Sequence, residues 1–311
     1  MARCLPPSGP RQRPGQNHCP ESSLSTIGWE GRMTSTGADL QAFARLIESL
    51  TPWLDQVVII GGWAHRLHRL HPAAQTLDYA PLTTLDADVA LPIELKVEGQ
   101  DIYQRLQANG FQAQFLGEHK PPSTHYHLTA ERGEFYAEFL TPLVGSAHER
   151  GGKSKGTTQL GGVVSQNLRH LELLLCAPWT VILSRASGFP LEGEKSILVA
   201  NPASFISQKI LIHRKRNRDE RAKDTLYIHD TLETFGADLV TLQAGWREKI
   251  APQLHAKARR QVEAAGETLF GQVTDEVREA SRMAQGRTLS PERIREVCAF
   301  GIGQIFRSSG I

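Results

Sequence analysis

The stretch IIGGWAHRLHRLHPAAQTLDYAPLTTLDADVAL, residues 59–91, decides the predicted fold of this chain. It begins with the end of a short apolar run, turns at two adjacent glycines and continues with apolar residues at helical spacing. Further along, Asp86 and Asp88 alternate with apolar residues in the segment TLDADVAL, which predicts a β-strand. The stretch therefore predicts a strand, a Gly-Gly turn, a helix and a second strand that carries two carboxylates on one face.

The residues on either side extend this pattern into a mixed α and β protein. Three further strands are predicted at FQAQFLG, THYHLTA and EFYAEFL, and a hairpin at TVILS and SILVAN. We expect residues 141–162 to be a loop and SQNLRHLELLLCA to be a helix. After residue 201 only helices are predicted, the first capped by Asn201 and the second by a capping box of Asn217 and Glu220. The fold class is α+β, a mixed sheet flanked by helices and followed by a helical C-terminal domain.

The chain divides by composition into three parts. Residues 1–35 are rich in Pro, Gly, Arg and Gln, which is typical of a disordered tail. Residues 36–200 are the predicted α+β core, and residues 201–311 the helical domain. Because Met33 stands just before a helix start, we expect residues 1–32 to come from an upstream start codon. Intact-mass measurement of the protein from its native host checks this.

Composition narrows the class of protein. The 311 residues are 40% hydrophobic and 22% charged, as in globular proteins, and lack the run of roughly 20 apolar residues that a membrane helix needs. With a net charge of +2, any affinity for nucleic acid must come from a local patch. The cysteines lack C-x-x-C spacing, which predicts reduced thiols in a cytoplasm and no structural zinc. They are Cys4, Cys19, Cys176 and Cys298.

The two aspartates of the second strand point to a metal site. Side chains two residues apart in a strand share a face and lie roughly 7 Å apart. Such like charges repel each other unless a cation lies between them, and Mg²⁺ prefers oxygen ligands. Glu138 on a later strand can supply a third carboxylate for a two-metal site acting at phosphorus. Gly61 and Gly62 would let backbone amides approach a phosphate at a helix N-terminus.

This combination resembles the DNA polymerase β-like nucleotidyltransferase superfamily. The matching motifs are the Gly61-Gly62 turn, the strand TLDADVAL, Glu138, a lysine in SQKILIHRKR and the pair Lys223-Asp224 in RAKDTLYIHD. Within the superfamily the sequence is most similar to bacterial minimal nucleotidyltransferases and to the toxins of type IV abortive-infection systems. The resemblance covers residues 56–235.

The resemblance implies transfer of a nucleoside monophosphate from an NTP to an acceptor. It implies that Asp86, Asp88 and Glu138 are catalytic and hold two Mg²⁺ ions. It also implies a set of nucleotide-binding residues, namely Gly61, Gly62, Trp63, Thr84, Lys209 and Asp224. The implied acceptor is tRNA, a protein or a small molecule, with an antitoxin as a further partner and no membrane.

Three departures from the superfamily pattern keep other readings open. Gly62 replaces a frequent Ser, Glu138 replaces an Asp, and Tyr227 stands where a second Asp is frequent. These departures favour a catalytically inactive nucleotidyltransferase-fold protein that only binds its ligand. The same three carboxylates would also suit a metal-dependent phosphodiesterase.

Several motifs have ordinary structural explanations. The Asp-x-Asp alone fits a solvated strand edge, and Lys209 alone fits a lysine whose stem packs on apolar neighbours. The run KILIHRKRNRDERAK holds seven basic and two acidic residues, so it is either a solvated helix surface or a phosphate-binding patch. His125 and His127 share a strand face, but the sequence offers no third ligand for zinc.

Overall fold

The computed structural model describes residues 37–118, 122–128, 135–145 and 156–307. The predicted tail, residues 1–35, lies outside these ranges. The α-helices of the described part are α1 (Gly37–Ser49), α2 (Gly61–His68), α3 (Ile102–Ala108), α4 (Pro202–Ile212), α5 (Arg218–Thr234), α6 (Leu239–Gly245), α7 (Ala256–Glu263), α8 (Ala265–Thr268), α9 (Asp275–Met283) and α10 (Pro291–Phe306).

The strands form one mixed sheet. They are β1 (Val58–Ile60), β2 (Asp86–Ala90), β3 (Phe111–Leu116), β4 (Ser123–Leu128), β5 (Tyr136–Pro142), β6 (Thr157–Leu160), β7 (Val163–Leu168), β8 (Trp179–Leu183) and β9 (Lys195–Val199). Their order is β3-β4-β5-β2-β1-β9-β8, and β7 joins β5 and β6 beside this path. β1 runs antiparallel to β2, whereas β2 runs parallel to β5. The α+β fold class predicted from the sequence is confirmed.

The N-terminal helices of the fold carry the apolar face that their sequences predict. In α1 the side chains of Phe43, Leu46 and Ile47 are fully buried. Phe43 stacks on Trp63 of α2, with ring centroids 3.9 Å apart and ring planes 7° apart. This stack anchors α2 to α1, and therefore holds the Gly-Gly turn at the start of α2 in place.

The helices that follow the sheet begin where their capping residues predict. Asn201 accepts a hydrogen bond from the backbone of Ala203, with Pro202 in the first helical position of α4. Asn217 and Glu220 form the predicted capping box of α5. Each cap satisfies backbone N–H groups that a helix start leaves unpaired, so the boundaries are fixed locally.

The buried apolar residues fall into two clusters. The first lies within residues 42–200 and includes the sheet, α1, α2 and α3. The second combines Leu173 with residues 203–306 of the C-terminal helices. Ser35–Ile311 nevertheless forms one compact unit, and the division into domains at residue 201 stays a prediction. Within the described residues, no helix has the length and apolar content that a membrane span requires.

The segment from 157 to 173 corrects two expectations. Residues 157–160 form β6 within the predicted loop, and residues 163–168 form β7, whose last four residues were predicted to begin a helix. Only Leu171–Leu173 forms a short 3₁₀ turn. Gly161 and Gly162 both have positive φ, as a two-residue hairpin turn requires, so the pair G-G was the missed signal. Pairing of β7 with both β5 and β6 outweighs the helical pattern suggested by Leu168 and the leucines that follow it.

Candidate active site

The predicted carboxylates lie in register on neighbouring strands. Asp88 of β2 pairs with Glu138 of β5, and Glu138 pairs with His125 of β4. Residues paired across a sheet project from the same face, so these three side chains form one row. A second row beside it contains Asp86, Tyr136 and His127. The six side chains make a polar patch on one face of the sheet.

Charge and burial act together on the carboxylates of this patch. Burial and the neighbouring Asp86 raise the pKa of Asp88 to about 7, although Lys223, Lys209 and Arg216 act in the opposite direction. Burial, Asp88 and Asp86 likewise raise the pKa of Glu138 to about 8. Near neutral pH the patch therefore holds protons that a bound cation would displace.

The Gly61-Gly62 turn contacts this patch directly. Gly61 has φ +63°, and a Cβ atom built on it would overlap the Asp88 carboxylate. A Cβ atom on Gly62 would lie 2.8 Å from the Tyr227 hydroxyl and would overlap the side chain of Thr84. A side chain at either position would therefore overlap neighbouring side chains of the protein, and it would also obstruct a phosphate that approaches the turn.

Two of the residues predicted to bind nucleotide are held by the protein itself. Thr84, in the segment before β2, donates a hydrogen bond to Asp86 and so orients that carboxylate. Trp63 is 1% exposed and packs between Phe43 and Phe135. The Trp63 ring is therefore part of the core, and its assignment to nucleotide binding stays a prediction, which the backbone amide in the first turn of α2 could satisfy.

Lys209 and Asp224 form a buried ion pair between α4 and α5. Lys209 Nζ also lies 4.8 Å from the ring centroid of Phe205 and 4.7 Å from that of Tyr227. Burial lowers the pKa of Lys209, and the charge of Asp224 opposes that shift. Arg216 approaches Asp224 from the other side, with Nε 3.4 Å from Oδ2. The two helices thus place positive charge next to the carboxylate patch, where Lys209 was predicted to contact phosphate.

An aromatic pair next to the carboxylates was not predicted as part of the site. His125 stacks flat on Tyr136, with ring centroids 4.1 Å apart and ring planes 7° apart. His127 lies 5.3 Å from Tyr136, and His125 Nε2 lies 4.0 Å from Glu138 Oε1. The alternation His-Tyr-His in THYHLTA was visible in the sequence. The position of His125 beside Glu138 depends on the register between β4 and β5, which the sequence did not reveal.

The donor chemistry of the patch fits a divalent cation with oxygen ligands. Three carboxylates share this face of the sheet, and Lys209 is already paired with Asp224. Within the described ranges, His229, Asp230 and Glu233 form a group of three side chains of the kinds that bind metals, and their ligand atoms all lie within 4.8 Å of one another. Asp86, Asp88 and Glu138 are not in that set, so a shared ion would have to draw these carboxylates together.

The cluster His229, Asp230 and Glu233 is a charge network rather than a vacant metal site. Arg287 binds Asp230 and also approaches Glu233, while Tyr79 donates a hydrogen bond to Glu233 over 2.8 Å. Burial alone would raise the pKa of Asp230, but the hydrogen bond from His229 and the charge of Arg287 lower it. The arginine occupies the position in which a cation would balance the acids.

We expect Arg287→Leu to lower the free energy of unfolding by about 3–5 kcal/mol, because it removes the arginine charge that balances the buried carboxylate of Asp230. Since the pKa of Asp230 is below its usual 3.8, its ion pair contributes above pH 3.8 and is lost as pH falls through the folded-state pKa. Urea unfolding at pH 7 and pH 3 measures both effects.

Arg278→Leu is the matched control, since Arg278 forms an exposed ion pair with Asp275. It should lower the stability by less than about 1 kcal/mol. Equal losses in the two variants would contradict the buried network.

Comparison with known families supports the geometry. A family model described as "Nucleotidyltransferase" matches residues 38–251, which is more than half of the chain. The match extends from α1 past the predicted domain boundary at residue 201, and so includes the carboxylate strands, Lys209 and Asp224. Comparison with curated proteins gives no match. With this match over the sheet and its flanking helices, the chain belongs to a nucleotidyltransferase family.

Proposed function

We propose that the protein transfers a nucleoside monophosphate from an NTP to an acceptor hydroxyl, with two Mg²⁺ ions held by Asp86, Asp88 and Glu138. The observation that carries this proposal is the register of β2 and β5, which sets Asp88 beside Glu138 with Asp86 on the same face. The raised pKa values of Asp88 and Glu138 support it, because burial and the neighbouring carboxylates disfavour their charged forms, which a bound cation would stabilise.

Each residue has a role that follows from its position. Bound Mg²⁺ would supply charge stabilisation at the α-phosphate. Thr84 orients Asp86 through its hydroxyl. Lys209 would contact phosphate, and Asp224 acts as a positioning residue because it holds the Lys209 ammonium group. The Gly61-Gly62 turn and the backbone amide of Trp63 would face the triphosphate at the start of α2.

The transfer step balances with these groups. The acceptor oxygen bonds to the α-phosphorus, and the bond from that phosphorus to the oxygen bridging it to the β-phosphate breaks. Pyrophosphate leaves with the electron pair of that bond. The proton of the acceptor hydroxyl passes to a carboxylate oxygen of Glu138, which lies beside Asp88 on the neighbouring strand.

The nature of the acceptor is a finer part of the proposal. The resemblance to the DNA polymerase β-like superfamily and to abortive-infection toxins favours tRNA or a protein, and an antitoxin partner. Arg214, Lys215 and Arg218 are exposed beside α5, which supports an acceptor with phosphate groups. If so, transfer should weaken steeply as the salt concentration rises.

Label transfer tests the proposal directly. The purified protein is incubated with each α-³²P-labelled NTP, Mg²⁺ and a host extract, beside the variant Asp86→Asn/Asp88→Asn. The variant lacks two of the three proposed metal ligands, so we expect it to transfer label at least about a hundredfold more slowly than the wild type. The control Asp55→Asn/Asp78→Asn changes two exposed aspartates and should transfer label as the wild type does.

The products separate the rival readings. Sensitivity of the labelled product to RNase or protease identifies the acceptor, and chromatography of the soluble fraction detects a small-molecule acceptor. NTP binding without labelled product from any of the four nucleotides would favour the inactive binding protein. Release of nucleoside monophosphates from nucleic acid in the absence of NTP would favour the phosphodiesterase.

A further inference from the structure

The hydroxyl of Tyr227 is a buried group whose hydrogen-bonding capacity the fold leaves unused. Tyr227 lies on α5, and its side chain is 3% exposed. Within the part of the chain that the structure describes, its hydroxyl has no hydrogen-bond partner. Most buried hydroxyl groups are paired, because an unpaired one disfavours the folded state. An unpaired phenol next to a candidate active site therefore points to a ligand.

This hydroxyl is aimed at the first turn of α2. A Cβ atom on Gly62 would lie 2.8 Å from it, so the hydroxyl lies against the Gly62 backbone. Gly61 and Gly62 are the first residues of α2, and the first turn of a helix presents N–H groups that have no partner within the helix. The hydroxyl therefore adds a side-chain donor to a helix N-terminus, the backbone arrangement that best accepts an anion.

Two ammonium groups lie over the same ring. Lys209 Nζ lies 4.7 Å from the centroid of the Tyr227 ring and Lys223 Nζ lies 5.7 Å from it. Both ammonium groups are thus within reach of a phosphate that meets the hydroxyl. His65 also packs against the ring, with centroids 4.9 Å apart, and holds the ring in position from the α2 side.

We propose that the Tyr227 hydroxyl donates a hydrogen bond to an oxygen of the NTP triphosphate at the Gly61-Gly62 turn. This inference rests on the proposed nucleotidyl transfer and adds a binding residue to it. The proton stays on the phenol, and no covalent bond changes.

Calorimetric titration with inorganic tripolyphosphate and Mg²⁺ tests this inference, because that probe carries the phosphates without a nucleobase. We expect Tyr227→Phe to weaken binding at least about tenfold, as for one hydrogen bond to a charged acceptor. The melting temperature of Tyr227→Phe without ligand should equal or exceed that of the wild type, since the change removes an unpaired buried group and keeps the ring.

Tyr126→Phe is the matched control. Its hydroxyl accepts a hydrogen bond from the backbone of Val164 over 2.8 Å, away from the turn. This control should lower the melting temperature and leave tripolyphosphate affinity unchanged. If the Tyr227 hydroxyl served only folding, Tyr227→Phe would likewise lower the melting temperature and leave tripolyphosphate affinity unchanged.

The outcomes separate the inference from the function on which it rests. Equal affinity of wild type and Tyr227→Phe overturns the inference, and label transfer by the wild type then still supports the proposed reaction. A lower ligand-free melting temperature at equal affinity also overturns it, because the hydroxyl would then serve the fold. Absence of tripolyphosphate binding together with absence of label transfer removes the inference and the proposed reaction.

Discussion

Replacing Gly61 by alanine is expected to reduce nucleotidyl transfer by at least about a hundredfold. The new Cβ atom would overlap the Asp88 carboxylate, and the backbone of Gly61 at φ +63° disfavours any residue with a side chain. Asp88 must therefore move away from the row that it forms with Glu138. A shift of about 1 Å at a catalytic group is enough for such a loss.

Gly188→Ala is the control for the backbone effect. Gly188 has φ +88°, and a Cβ atom built there meets no other atom within 4 Å. Both alanine variants should lose about 1–2 kcal/mol of stability from the left-handed backbone, and only Gly61→Ala should lose transfer. Label-transfer rates and urea unfolding of the two variants check this. Full transfer by Gly61→Ala would show that the contact between Gly61 and Asp88 is dispensable.

The second large effect concerns acid stability and arises from His65. Burial lowers the pKa of His65 to about 3, with Asp230 acting in the opposite direction and His68, Arg69 and Lys209 reinforcing the shift. A histidine with a depressed folded-state pKa stays neutral in the folded protein and takes up a proton when the chain unfolds. Below its unfolded-state pKa of 6.5, the unfolded state binds more protons, so folding becomes less favourable as pH falls.

His65→Leu removes this penalty. Relative to the wild type, the variant should gain about 2 kcal/mol of unfolding free energy between pH 7 and pH 5, since each pH unit below 6.5 contributes about 1.4 kcal/mol. The comparison must be between variant and wild type, because the raised pKa values of Asp88 and Glu138 change total stability in the opposite direction. Urea unfolding at several pH values measures it. A difference that does not change with pH would contradict a buried neutral His65.

The elements around the active site could be predicted because their signals are local. The Gly-Gly turn, the alternation in TLDADVAL and the caps at Asn201 and Asn217 depend on residues within a few positions of one another. β7 was mistaken for a helix because its state depends on pairing with β5 and β6. Distant strand pairing of this kind leaves little trace in a single segment.

The candidate site was predictable only in part, for a related reason. Asp86 and Asp88 share a face by strand geometry alone, and Glu138 lies on a strand that the sequence shows. Glu138 lies opposite Asp88 because β2 and β5 pair in parallel register. His125 lies beyond Glu138 because β4 pairs with β5. A slip of one residue would have placed Glu138 on the opposite face. The sequence shows that Trp63 follows the two glycines, but it does not show that the ring of Trp63 stacks on Phe43.

The sequence by itself determined which chemical groups are present and which of them lie close along the chain. It specified the carboxylate pair, the glycine turn, the capped helices and the lysine of α4. The tertiary structure decided which groups meet. It paired Lys209 with Asp224, set Gly61 against Asp88 and aimed the unpaired hydroxyl of Tyr227 at Gly62. Local backbone preferences act over one turn or one strand, whereas these contacts join residues more than 14 positions apart through packing of the whole core.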